Sequence, residues 1–439
     1  MSEISYAKYL ANPKYRKFPF KGLAGWLLAN RPPSVEDLQD KYAFSYYSTM
    51  NNAVTDVNNG TTANADAQKG TAVAGVYTDE NGGKNVVLLK DYTEATRIDP
   101  SVDMTINLGG HVLSTNNKVL LQPMGGHIIV DGRLAGSTIE IYQTNLANNA
   151  NLAIQVAPSA VLYVFGGTIV SSSENCEAMA ISNFGTTHVS GCKVVAHSVS
   201  KVARAINNRK SITVDNCELV ASSKGHNSFG VFSDVSATIS NCNIRAYSNY
   251  LDGDDDYAAY SIGIQSSGTM ILNDCYVLGT HSGVQSTRAI TVNGGIYEGY
   301  GHGGIYFGGE GTTSYVRDAI LRDCDMPDGY TATSQRNGAG FYIGGGVGKD
   351  NISVYMDNCR ISSLAESQTI VLRGSSGEQN NSLYISNSDI YTLDGRMGRI
   401  RIDNNTHKLY IGVGNNFTAE DTNNPEAVVA TDEVYREVA

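Results

Sequence analysis

Ile212-Thr213-Val214-Asp215-Asn216-Cys217-Glu218-Leu219 and Thr238-Ile239-Ser240-Asn241-Cys242-Asn243-Ile244 are two copies of one phrase, and its reading decides the fold. Cys217 stands 25 residues before Cys242, Cys192 stands 25 before Cys217, and Gly167 stands 25 before Cys192. Apolar residues alternate within each copy, a strand pattern interrupted by a one-residue bend at the Asn-Cys step. Asn tolerates the left-handed backbone that a sharp corner between two short strands requires. A fixed period built from short strands and corners, with no helical pattern between them, specifies a solenoid whose turns stack at strand spacing. Equivalent residues then align, Cys over Cys inside and Asn over Asn at the corner.

The phrase recurs with looser spacing at Asp274-Cys275, Gly294-Gly295, Asp323-Cys324, Asn358-Cys359 and Asn387-Ser388, and fades toward Ile411 to Phe417. Toward the N-terminus it persists at Val130-Asp131-Gly132 and at Leu108-Gly109-Gly110-His111-Val112. About twelve coils follow, a rod on the order of 55 Å long at roughly 4.8 Å per coil. A second strand precedes the phrase in most coils, as in Ala178-Met179-Ala180-Ile181, Ala203-Arg204-Ala205-Ile206 and Phe229-Gly230-Val231-Phe232, which fits three strands per coil. Where the step exceeds 25, the surplus leaves as loops, chiefly at Tyr247 to Tyr260, Pro327 to Asn337 and Gly344 to Asn351.

A chain of 439 residues exceeds one compact core, but a solenoid grows by addition. Its 46 Gly, 26 Tyr and low charge (17 %) suit short strands and tight corners, and the net charge of −11 argues against nucleic-acid binding. No apolar run is long enough to insert in a membrane, and no classical export signal is read near Leu23 to Ala29. Cys192, Cys217, Cys242, Cys275, Cys324 and Cys359 share one place in the repeat, with Cys176 left over, so they are expected to be buried, reduced and stacked. No Cys-x-x-Cys spacing points to a metal, and no cofactor is implied.

Five regions follow from composition and pattern. Residues 1–33 carry Lys8, Lys14, Arg16, Lys17, Lys21 and Arg31 among six large aromatic rings and read as a docking segment. Val35, Leu38, Tyr42, Tyr46, Thr49, Ala53 and Val57 recur at helical spacing, so residues 34–59 are expected to form one amphipathic helix behind a Ser34 cap, packed on the β-helix end or on other copies of the chain. Residues 60–85 read as a linker and entry strand, residues 86–417 as the β-helix, and the acidic residues 418–439 as a tail or cap.

With these residues in hand, the chain from about 86 to 417 resembles the right-handed parallel β-helix proteins of the pectin-lyase-like class. Its layout resembles phage tail spikes and related virion appendages. The resemblance implies an all-β fold in a virion protein made in the host cytoplasm. It would join other virion proteins through the N-terminal segment, form a homo-oligomer, with a trimer as the expected number, and contact host-surface polysaccharide. The alternative on the same fold is a polysaccharide-cleaving lyase or glycosidase.

Catalytic signals are thin. Gly301-His302-Gly303 is similar to one motif of polygalacturonases, but the Asn-x-Asp step, the Asp-Asp pair and the Arg-x-Lys that accompany it there are missing or misplaced. Arg288, His302, Arg322 and Asp323 are the residues a lyase reading would assemble. Asp252, Asp254 and Asp256 have the alternation of a calcium loop, yet Tyr257 and Gly263 occupy the sixth and twelfth positions, which rejects an EF-hand and leaves a looser cation site open. Sugar binding favours flat rings beside acids and amides. Two stretches satisfy that requirement, Tyr250 with Asp252, Asp254, Asp256 and Tyr257, and Tyr300 with His302 and Tyr306. These eight are the expected glycan-binding residues, and no catalytic residue is assigned.

Overall fold

A computed structural model describes residues 32–143, 150–248, 261–300, 302–309, 311–323, 339–344, 351–364, 368–373, 380–392, 398–403, 406–418 and 421–436. One coil shows the plan. Ala203–Asn208 lies in one sheet, Ser211–Asp215 in a second, and, after the two corner residues Asn216 and Cys217, Glu218–Ser223 in a third; Ser228–Ser233 then pairs in parallel with Ala203–Asn208. We call the sheets holding Ser211–Asp215, Glu218–Ser223 and Ala203–Asn208 the first, second and third. Among the described residues they contain 16, 12 and 11 strands, nearly all parallel, which makes the chain a parallel β-helix. From Met104–Asn107 to Lys408–Ile411 the first sheet has twelve strands, one per coil, as the phrase count predicts.

The chain divides into two compact units, residues 32–142, 152–170 and 185–193 in one, and 143–151, 171–184 and 194–436 in the other. In the first unit, Ser45–Tyr47, Ala74–Thr78 and Lys84–Leu88 pair antiparallel, and the parallel pairing begins between Lys84–Leu88 and Met104–Asn107. The second unit holds the coils built on the Asn-Cys phrase.

The corner is as the phrase requires. Asn216, Asn241, Asp274, Asp318, Asn358 and Asn387 all have φ between 49 and 54°. The next side chain turns inward, so Cys217, Cys242, Cys275 and Cys359 are buried, as are Cys192 and Cys176, and these six described cysteines are reduced thiols. The sulfurs of all but Cys176 face backbone carbonyls, as Cys275 Sγ does at 3.4 Å from Asn273 O, whereas Cys176 Sγ meets the side chains of Ser173 and Asn151; burial pushes the Cys275 and Cys359 thiols up to about 12. One expected corner is corrected. Between Gly294 and Asn358 the chain turns at Asp318-Ala319, and Asp323 instead ends the strand Ile320–Asp323 with its side chain buried. Ala319 is therefore the residue in the inward place, and Cys324 lies outside the described residues. A short apolar side chain suffices there, so Ala substitutes for Cys without changing the turn.

The helix expected over residues 34–59 is also corrected. It is two helices, α1 (Val35–Lys41) and α2 (Met50–Asn59), separated by the strand Ser45–Tyr47. Ser34 and Asp37 form a capping box on α1, and Thr49 Oγ1 accepts from Asn52 N–H at 3.1 Å to start α2. The segment between is drawn into sheet pairing by Tyr47, whose ring is fully buried. Met50, Ala53, Val54 and Val57 are buried, and α2 packs on the strands Ser45–Tyr47, Ala74–Thr78 and Lys84–Leu88. Of the two placements open to the stripe, its buried residues take the one within their own chain. Residues 1–31 lie outside the described residues, as do most of the three surplus loops.

Candidate functional site

The third sheet positions the candidate site. In Gly303–Phe307 the side chains of Ile305 and Phe307 are buried inside, which turns Tyr306 to the outer face. Register then aligns Gln265, Gln285, Tyr306, Tyr342, Val371 and Arg401 in one column, each on its own strand. Tyr342, Ala339 and Val371 are buried together, and the half-buried Tyr306 ring packs on them 5.1 Å from that of Tyr342.

Two imidazoles extend this cluster. His302 N–H donates to His281 O at 2.7 Å, so the two residues occupy equivalent places in successive coils. Their rings meet edge-on at 4.4 Å, and His302 lies 5.4 Å from Tyr306 and 5.6 Å from Tyr342. Gly303, at φ 82°, lies so close to the Ala339 carbonyl that no side chain fits there. Gly304 belongs to a column with Gly263, Gly283 and Gly340, where a Cβ on Gly283 would sit 2.5 Å from Gly304 O. Gly303 and Gly304 beside His302 thus answer to close backbone packing, and Gly303 in the Gly-His-Gly triplet has a structural reason independent of chemistry.

Burial, and secondarily the Arg373 charge, depresses His302 to about 4; burial with the neighbouring His302 holds His281 well below the usual imidazole range. Both rings are neutral near pH 7 and can donate and accept hydrogen bonds. The Tyr342 phenol, followed by Asp403, raises the Arg373 guanidinium. Asp403 accepts from Arg401 Nε at 2.6 Å and lies 3.5 Å from Arg373 Nε. Both Arg side chains remain 49 % exposed.

His302 and Tyr306, both expected from sequence, are therefore brought together. Tyr300 is half-buried in the turn after Ile296–Gly299. Tyr250, Asp252, Asp254, Asp256 and Tyr257 lie outside the described residues. His281, Tyr342 and Arg373 were not anticipated. The first two were readable by aligning His281-Ser282-Gly283-Val284 with His302-Gly303-Gly304-Ile305, and Gly340-Phe341-Tyr342 with Gly304-Ile305-Tyr306. Arg373 follows the strand Ile370–Leu372 and carries no local signal.

The residues of the lyase reading are distributed over different elements. Arg288 precedes the first-sheet strand Ile290–Asn293, while Arg322 and Asp323 belong to the second sheet. Arg322 pairs with Glu298, which also accepts from Tyr276 Oη at 2.5 Å and is 6 % exposed. Among the described residues no three His, Cys, Asp or Glu side chains are grouped to hold a metal ion, and no helix is long and apolar enough to cross a membrane. No protein-family model matches the chain, and neither a curated protein nor a solved structure was found to match it.

Proposed function

We propose that the chain is an attachment protein of a virion, a tail-spike-like or tail-fibre-like appendage, whose β-helix presents Tyr306, with His302 beside it and Tyr342 beneath it, to a host-surface glycan. The observation that carries this reading is the cluster itself. The half-buried Tyr306 ring, backed by the buried Tyr342, offers a face to the apolar side of a sugar, and two neutral imidazoles and a guanidinium beside it hydrogen-bond the sugar hydroxyls. All of these groups stand on regular strands or immediately beside them, so the coils hold their spacing without a ligand. Glu298 in the neighbouring sheet is engaged by Tyr276 and Arg322, which supports attachment over glycan cleavage.

Two measurements test the reading. Mass spectrometry of purified particles from the source should find the chain as a structural component. On a printed glycan array the full chain should bind a defined subset, and Tyr306→Ala should weaken that binding about tenfold or more with an unchanged thermal midpoint. Release of reducing sugar from a bound glycan would replace attachment by cleavage.

A further inference from the structure

We infer that the exposed end of the second unit, built from Val428–Ala430 and the residues after it, is a docking surface for the basic, aromatic residues 8–21 of a second copy of this chain, so that copies join head to tail. The inference goes beyond the attachment reading and does not depend on it.

The surface is open. Val428–Ala430 is the last strand of the first sheet and pairs on one side only, with Lys408–Ile411. Thr431 N–H donates to Ile411 O at 2.8 Å, so by alternation the Ala430 N–H and C=O point away from that partner, and Ala430 is exposed. Val429 is 38 % exposed, Val434 52 % and Val413 38 %, and the bond from Val413 N–H to Glu433 O sets Val413 beside Val434. A strand edge left unpaired beside exposed apolar side chains accepts an extended peptide as its next strand.

Charge selects the occupant. Glu426, Asp432 and Glu433 flank these valines in sequence and are exposed, whereas Arg436 is turned back onto Asp318 and Asp357. Residues 389–439, with every undescribed stretch among them counted, carry nine acids and five bases, so the sign stays negative wherever those stretches lie. Residues 1–33, by contrast, carry six bases and one acid in a chain of net charge −11. Residues 8–21 hold five of those bases and four aromatic rings, with no acid. Rings suit the exposed valines and bases suit the acidic rim, a complementarity that discriminates against other segments of this acidic chain. Ser45–Tyr47, the first described strand after the basic segment, opens the strand order of the first sheet and Val428–Ala430 closes it, which makes a second copy the occupant. Such a contact joins unlike surfaces of identical chains, so it continues as a filament unless its rotation closes a ring.

The test uses the full chain and a synthetic peptide of residues 8–21. Adding the peptide should slow hydrogen exchange at residues 428–434, with an affinity that falls as salt is added. Glu426→Lys together with Glu433→Lys should weaken the peptide about tenfold or more, and Val434→Ser by a smaller factor, both with an unchanged thermal midpoint. In sedimentation the full chain should associate with rising concentration at low salt, and the paired Glu426→Lys and Glu433→Lys change should abolish this. Adding Lys14→Glu and Lys17→Glu to the same chain should restore association by exchanging the two signs, while either pair alone stays unassociated. The salt dependence separates this contact from association through a bare strand edge. Slowed exchange elsewhere than residues 428–434, equal peptide affinity for the native and reversed rims, or failure of the exchanged signs to restore association overturns the inference. A peptide that does not bind, or a full chain that stays monomeric at low salt, overturns it as well. Glycan binding on the array is read independently of all these outcomes, so attachment stands or falls separately.

Discussion

Asn216, Asn241, Asp274, Asp318, Asn358 and Asn387 adopt a conformation that costs an ordinary L-residue about 1–2 kcal/mol. Short polar side chains lower that cost by local hydrogen bonding, and Asn241 Nδ2 also donates to Asp215 Oδ1 at 3.0 Å. Asn241→Ala should therefore destabilise the chain by about 1–2 kcal/mol in urea unfolding, and Asn241→Gly by less, since Gly takes positive φ freely. The imidazoles give a pH-dependent counterpart. His302 is depressed to about 4 from an ordinary value of 6.5, so between those limits the unfolded chain binds a proton that the folded chain does not. Stability contributed by the neutral ring is thus complete above pH 6.5 and lost progressively as pH falls toward 4, up to about 3 kcal/mol. His281, shifted in the same direction, adds to the slope. In urea titrations the midpoint should rise between pH 4 and 6.5, and His302→Gln should flatten that rise; an equal slope in the variant would remove His302 as its source.

At the scale of elements, legibility follows regularity. The 25-residue step and the Asn-Cys corner were readable because coils of equal length repeat the same physical demand. The corner at Asp318 was missed because coils of unequal length let the Asp323-Cys324 pair imitate the phrase in the wrong place. The helix was misjudged for a different reason. Tyr42 and Tyr46 happen to continue the spacing of Val35 and Leu38, and spacing alone does not reveal that Ser45–Tyr47 pairs with Ala74–Thr78. At the site, His302 and Tyr306 share one short stretch, whereas Tyr342 and Arg373 reach them only through coil stacking. The packing of α2 makes a definite expectation: Met50, fully buried, should cost about 2–5 kcal/mol when truncated to Ala, measured by chemical unfolding. A change near zero would mean that the helix is not packed as described.

At the scale of the whole molecule, each strand rests on the one before it, so the last coils depend on what covers them. Within the second unit, Val428–Ala430 pairs in parallel with Lys408–Ile411, and the residues after it return across earlier strands of the first sheet. Val413 N–H donates to Glu433 O at 3.1 Å, and Tyr435 N–H donates to Ser386 Oγ at 2.9 Å. The Tyr435 ring stands edge-on to Tyr384 at 5.4 Å, within the row where Tyr355, Tyr384 and Tyr410 stack at 4.4 Å intervals. Arg436 then reaches Asp357 at 3.2 Å and Asp318 at 2.9 Å. Asp357 is 1 % exposed and also accepts from Ser386 Oγ and Asn387 Nδ2, so the segment closes a polar network spanning several coils. Removing residues 418–439 should leave the Lys408–Ile411 edge unpaired. Hydrogen exchange should accelerate at residues 382–386 and 408–411 while residues 203–248 keep their protection, and the shortened chain should self-associate more readily. Arg436→Ala should accelerate exchange near residues 353–357 and 382–386 without loosening residues 408–411, because the added strand is still present. Uniform acceleration along the chain in either variant would show instead that the segment stabilises all coils as one cooperative unit.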